Sequence, residues 1–321
     1  MAATGRATGS LSAGVDTQAE QALQLWLPAL SAVEPDHPLR AVLARADRLG
    51  DGPSGYLAGL GEYFAGVDRR LPAAAITRDF LAGDAANTHW LCADPAWVQP
   101  DMTGARLLAC GRLQLQMDEA QALAAALQPL FEEAGMRLLV STPDRWHVQL
   151  PRDLALPDFA APEQALGEDL AQHLPGGAEG RRWRILLNDI QVLLHQHPLN
   201  AERRERGLAP VNSLWLWGGG PLPKSVRSDL RGVVSDDLLL SALAAAADRV
   251  HLDRTADTVA AARAGWLIDL QDLPAHEVAQ HWWPRLQPLL ARWPVRLHAS
   301  SGERWLHKPW HRWRFWRGAG R

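Results

Sequence analysis

The sequence predicts an α/β fold: a mostly parallel, doubly wound sheet with an inserted α+β domain. Three observations carry this reading. After Ser235, short apolar runs alternate with helical stretches, the pattern of βαβ units. Between His89 and Leu150 the pattern changes to strands grouped around one helix and a hairpin. A length of 321 residues is enough for two domains.

The elements follow in order. Residues 1–19 are small and polar and lack the apolar stretch of a signal peptide, so a disordered start is expected. Leu23, Trp26, Leu27 and Leu30, then Leu39, Val42, Leu43 and Leu49, form two stripes at helical spacing, broken by VEPDHP. Gly and Pro punctuate 50–75. Strands are expected at HWLC, ARLLAC and RLQLQ. Asp118 then caps a helix that buries Leu123, Leu127, Leu130 and Phe131 and closes at Gly135. MRLLVST and RWHVQL make a hairpin around Pro143-Asp144. Residues 151–180 read as a loop with one short helix. RRWRILLNDIQVLLHQHP is the most periodic helix, with Trp183, Leu186, Leu187, Ile190, Leu193 and Leu194 on its buried face. Arg184, Asn188, Gln191 and His195 form a second, polar stripe, and Pro198 stops the helix. VNSLWLWGGGPLP, from Val211 to Pro223, opens the second part of the core. There Ser235 caps a helix whose Asp236 and Asp237 suit the positive helix start. Strand VHL, a helix near 255–263, strand WLIDL, a helix over 275–291 and strand VRLHA complete it. The α/β core is thus assigned to 20–49 and 205–321, and the insert to 50–204.

Composition excludes several classes. An apolar fraction of 47% supports a buried core in each domain. A net charge of −3 argues against a chain built to coat nucleic acid. Two cysteines, Cys92 and Cys110, make neither a zinc cluster nor a disulfide framework, which suits a reducing cytoplasm. No apolar run approaches the roughly 20 residues of a transmembrane span. Tryptophan is abundant, at 15. Trp305, Trp310, Trp313 and Trp316 stand amid Arg304, Lys308, Arg312, Arg314, Arg317 and Arg321. Such a segment can stack on bases or sit at a membrane interface. It can also be a final strand whose Trp rings pack under Arg, and the neighbouring Trp282, Trp283 and Trp293 favour that packing.

Candidate sites are few. WLWGGG can cradle an anion or make a tight turn; Pro221 and Pro223 remove the donors that a cradle needs, which favours the turn. HEVAQH places its histidines five apart, where a zinc-protease helix needs four. His195 and His197 are two apart and diverge on a helix. The polar stripe lacks Lys and Glu, the usual residues of a solvated face, so a pocket wall is considered beside a plain surface.

LLNDIQVLLHQHPLNAERRERGLAPVNSLWLWGGGPLP, with the upstream ADPAWV and EEAGMRLLVSTPDRWHVQL, resembles the RpfE-type regulatory protein family of proteobacteria over most of residues 50–270. That family is often labelled phosphoglycerate mutase-like, and a fainter likeness reaches the archaeal-type cofactor-independent phosphoglycerate mutases of the alkaline phosphatase superfamily. The resemblance implies a reduced alkaline phosphatase-like core. His197, Pro198, Asn200, Arg203, Asn212, Gly218 and Gly220 match the mutase pattern, and Asp272 and His276 match its Asp-x-x-x-His metal-ligand spacing. Phosphoryl transfer of that kind uses two divalent metals and an activated hydroxyl. Here LQLWLPAL lacks the first-strand carboxylate, His37-Pro38…Ala41 replaces Thr-Pro…Asp, and LHASSG replaces the late Asp-His pair. A non-catalytic regulatory or ligand-binding protein is therefore expected, holding no cofactor. The alternatives are a working phosphomutase or phosphatase with Mn²⁺ or Mg²⁺, and a nucleic-acid or membrane-surface adaptor acting through the C-terminus. Arg145, Arg184, Asn188, His195, Asn212, Gly218, Gly219 and Gly220 are the expected cleft-lining residues, with Asp272 and His276 as a vestige of the metal site. The expected partner is a phosphorylated small molecule or another protein.

Overall fold

The computed structural model describes residues 22–66, 71–102 and 104–316; the expected disorder over 1–19 lies outside them. Its strands are β1 Leu23–Leu27, β2 Asp47–Arg48, β3 His89–Pro100, β4 Ala105–Cys110, β5 Arg137–Val140, β6 Trp146–Leu150, β7 Ser213–Pro221, β8 Gly232–Val234, β9 Val250–Leu252, β10 Trp266–Asp269, β11 Val295–Ala299 and β12 Arg304–His307. The chain forms two compact units, Met1–Ala65 with Arg227–Arg321, and Gly66–Val226. The fold class is mixed α/β.

The first unit holds a seven-stranded sheet in the order β2-β12-β11-β1-β10-β8-β9. The five strands from β11 to β9 are parallel, and β12 and β2 close one edge antiparallel. The helical stripe expected at Leu23–Leu30 is instead the central strand. All five residues of β1 are buried, and a parallel strand covered on both faces reads as a continuous apolar run. Leu23, Leu25 and Leu27 face one core with Leu39, Leu43, Val259, Leu286 and Leu290 from the surrounding helices. Ala65 and Arg227 exchange both backbone hydrogen bonds at 2.8 Å, closing this unit where the chain leaves and returns.

The second unit is built on β4-β3-β6-β5, with β7 also paired to β3. All these pairings are antiparallel. VNSLWLWGGGPLP therefore does not open the parallel core. Its strand runs from Ser213 opposite Ala96 to Pro221 opposite His89, and the domain boundaries fall at 65/66 and 226/227 rather than 49/50 and 204/205. Sequence alternation alone does not say which sheet a buried apolar strand joins. RLQLQ is not a strand: Gln114 takes a left-handed φ of 56°, and the following helix, Met117–Glu133, is capped from Gln116, not Asp118, with the Glu119 carboxylate accepting from Gln116 N at 3.1 Å. Leu123, Leu127 and Phe131 share its core with Trp146, Trp183, Ile190 and Leu194. The long periodic helix spans Gly177–His195.

Candidate functional site at the carboxyl edge of the parallel sheet

Open α/β sheets take ligands outside the carboxyl ends of their strands. In the first unit, one row of side chains occupies that edge. Trp26 is in register with Asp269 of β10 on one side and His298 of β11 on the other, and His298 is in register with Arg304 of β12. Residues in register share a face; for this row it is the face opposite Leu25 and Leu27. Ser235, just after β8, adds a hydroxyl that donates to Asp269 Oδ2 at 2.8 Å.

The middle of the row is filled by aromatic rings. Trp26, 2% exposed, stacks on Tyr56 with centroids 5.6 Å apart and planes 13° from parallel. Tyr63 packs at 5.4 Å on Trp26 and at 5.6 Å on His298. Gly59 admits the indole: a Cβ there would stand 2.4 Å from Trp26 Cζ2. Burial, helped by Glu62 and Asp269, raises the Tyr63 phenol well above its usual value. Burial, with Arg296 and Arg304, lowers His298 to about 3. Both groups are neutral around pH 7.

Beside the rings lies a cation held by carboxylates. Arg254, 8% exposed, donates through Nη1 and Nη2 to Asp272 at 2.6 and 3.2 Å and through Nη1 to the Asp269 carbonyl at 2.7 Å. Its Nε lies 3.5 Å from Asp236 Oδ2. Asp237 caps the helix Leu238–Ala246, accepting from Leu240 N at 2.8 Å, and also accepts from the Tyr56 hydroxyl; Ser235, the expected cap, instead accepts from Asp237 N at 2.9 Å. Asp269 is wholly buried. Burial first, then the charges of Asp272 and Asp237, raise its carboxyl to about 7 against the pull of the Ser235 hydroxyl and Gln271 N–H.

Asp272 and His276, the expected vestige of a metal site, do not fit a divalent cation. Both Asp272 oxygens accept from Arg254, and a guanidinium in that place repels a second cation. His276 is exposed, in the turn Ala275–Glu277. Among the described residues no group of three or more His, Cys, Asp or Glu side chains is placed to hold a metal ion. His37, standing where the mutase pattern has Thr, caps the helix Pro38–Arg45 through Nδ1, and its Nε2 lies 3.0 Å from the Ala275 carbonyl oxygen.

The expected cleft residues fall into separate local arrangements within the second unit. Arg145 Nε lies 2.9 Å from the buried Asp94, and its guanidinium covers the Trp217 ring at 4.9 Å. Arg184 donates to the Pro175 carbonyl, while Asn188 and His195 are exposed. Asn212 holds β3 at the bulge beside Val98, accepting from Val98 N at 2.8 Å and donating to Val98 O at 2.7 Å. The glycines serve a close approach: a Cβ at Gly218, where φ is +62°, would stand 2.8 Å from the Ala73 Cβ, and one at Gly220 would stand 3.0 Å from Pro72. They admit the start of the helix Ala73–Ala82 and lie within β7, so the expected tight turn is not formed there. Arg145 also belongs to a polar network under that helix, where Thr77 and Ser141 flank the imidazole of His147 at 2.9 and 2.8 Å. Burial lowers His147 to about 3 and pushes the Cys92 thiol up to about 12, so both are neutral around pH 7.

Sequence reasoning passed over Trp26, Tyr63, Ser235, Arg254, Asp269 and His298. A signal was present for two of them: DR directly follows the expected strand VHL, and D-x-x-D starts at the end of the expected strand WLIDL, where ligand-side loops belong; SDD follows Gly232–Val234, a strand the sequence reading did not assign.

The fold and this edge define a class: a mixed α/β protein whose parallel sheet has its carboxyl edge occupied by its own aromatic and polar side chains. No family model matches the chain. A 63-residue stretch is 40% identical to the 2,3-bisphosphoglycerate-independent phosphoglycerate mutase of Methanosarcina barkeri, covering 20% of this chain and 16% of that protein. A 111-residue stretch is 31% identical to the enzyme of the same name from Methanosarcina acetivorans, covering 34% and 28%. Among solved structures, the cofactor-independent phosphoglycerate mutase of Thermoplasma acidophilum aligns over 89% of both chains with a TM-score of 0.39 at 16% identity. The PH0037 protein of Pyrococcus horikoshii aligns over 89% of this chain and 86% of its own with a TM-score of 0.47 at 11% identity. The chain is thus related, distantly and over part of its length, to cofactor-independent phosphoglycerate mutases, and its matches span well under a third of the curated relatives.

Proposed function

We propose that this protein is a non-catalytic regulatory or ligand-binding relative of the cofactor-independent phosphoglycerate mutases, needing no metal cofactor. The regulatory role is what the RpfE-type resemblance implies. One observation carries the loss of catalysis: Arg254 occupies both oxygens of Asp272, the carboxylate that keeps the mutase metal-ligand spacing. The aromatic ring of Trp26 supports the same reading, because it fills the end of the strand where the resemblance calls for a carboxylate. Two-metal phosphoryl transfer requires several anionic donors free to converge.

The test is turnover of 3-phosphoglycerate by the purified chain with Mn²⁺ or Mg²⁺, beside calorimetric titration of each ion. No turnover and no stoichiometric binding of either ion are expected. Turnover that disappears in Asp272→Asn or His276→Ala would sink the proposal and restore the metal-dependent enzyme.

A further inference from the structure

We propose that the aromatic and basic segment from Lys308 to Trp316 is a docking surface for an anionic lipid bilayer. Intramolecular packing, the expectation for this segment, holds for Trp305, which is 8% exposed, but not for the large aromatic rings beyond it. Trp310, Trp313, Phe315 and Trp316 are 55, 63, 79 and 69% exposed. Four large rings gathered in solvent on one short segment mark an interaction surface.

The rings are presented by an anchored turn. Pro309–Trp313 is a single 3-10 turn, and His311 within it is wholly buried. Arg314 ties the next residue down, donating to the Arg45 carbonyl at 3.2 Å and to Asp47 at 2.5 Å. The covered residues hold the backbone while their neighbours point outward.

Charge selects the occupant. Among the described residues the segment from Lys308 to Trp316 carries Lys308, Arg312 and Arg314 and no carboxylate. Asp47 offsets Arg314, so the charges of Lys308 and Arg312 beside the exposed rings are what complement an anionic surface. Lys308 Nζ lies 5.5 Å from the centre of the Trp310 ring, and the Arg312 guanidinium 5.1 Å from that of Trp313. A cation already lies over one face of each of these indoles, which disfavours a platform for stacking bases, since that needs open faces. Indole rings with basic side chains beside them match the bilayer interface, where the ring sits at headgroup level and the cation meets lipid phosphate.

The experiment is flotation of the full chain with vesicles of phosphatidylcholine alone and of phosphatidylcholine mixed with phosphatidylglycerol, with indole emission followed in parallel. Binding to the anionic vesicles only, a blue shift, and weakening by added salt are expected. Combining Trp310→Ser, Trp313→Ser and Trp316→Ser should reduce partitioning by about tenfold or more, with circular dichroism confirming the fold. Should that variant misfold, Lys308→Gln with Arg312→Gln asks the same question through charge and should weaken binding severalfold. Absence of binding to anionic vesicles, or equal binding by the folded variants, overturns the proposal. Capture of single-stranded DNA without capture of vesicles overturns it in favour of nucleic acid.

Discussion

Arg203 has no contact with solvent. It donates to Glu119 at 3.0 Å, to the Leu113 carbonyl at 2.6 Å and to the Ala209 carbonyl at 3.0 Å. Nearby, Asn200 satisfies Leu194 O, Val211 O and Val211 N. Both residues lie in the stretch resembling the mutases, and both act as joints between helix and strand in the second unit. Glu119→Ala leaves a buried guanidinium without its anion, and we expect a loss of about 3–5 kcal/mol in urea unfolding. A change below about 1 kcal/mol would show that water reaches Arg203.

At the scale of elements, the row across β8, β10, β1 and β11 makes the sheet's carboxyl edge sensitive to pH. Burial holds the Asp269 carboxyl at about 7 in the folded protein, well above the ordinary carboxylate range, and Asp272, Asp237, Tyr63, Ser235 and Arg254 surround it. A folded value above the unfolded one means that the protonated carboxyl favours the fold. Its contribution is complete below about pH 4, declines as pH rises, and is gone once pH passes about 7. The displacement corresponds to roughly 4 kcal/mol at most. The buried His147 and His298, lowered to about 3, add stability as pH rises to about 6.5, so the test is the wild-type urea midpoint minus that of Asp269→Asn, which should decline between about pH 4 and about pH 7. An identical slope in the variant would assign the dependence to other groups.

At the scale of the molecule, the C-terminal segment is two things at once. β12 pairs with β11 and β2, and Trp305 and His311 are buried, so truncation after Gly302 removes an edge of the sheet and should lower Tm by more than about 5 °C. Truncation after Arg314 removes only exposed rings and the residues beyond, and should leave Tm within about 1 °C. Equal losses in both would make the exposed rings part of the core. No helix among the described residues is long and apolar enough to cross a membrane.

Much of the architecture is readable from the sequence by itself. Helical periodicity marks Gly177–His195 and the alternation of strands and helices after β8, and Pro143-Asp144 marks the β5–β6 hairpin. Those signals are local: each depends on spacing within one turn or one strand. The pairing of β7 with β3, the strand nature of Leu23–Leu27, and the meeting of Trp26, Asp269, Arg254 and His298 depend on contacts between residues far apart in the chain. Apolar spacing says that a side chain is buried, not what it is buried against. The candidate site emerged only when register across three strands set an indole, a carboxyl group and an imidazole side by side.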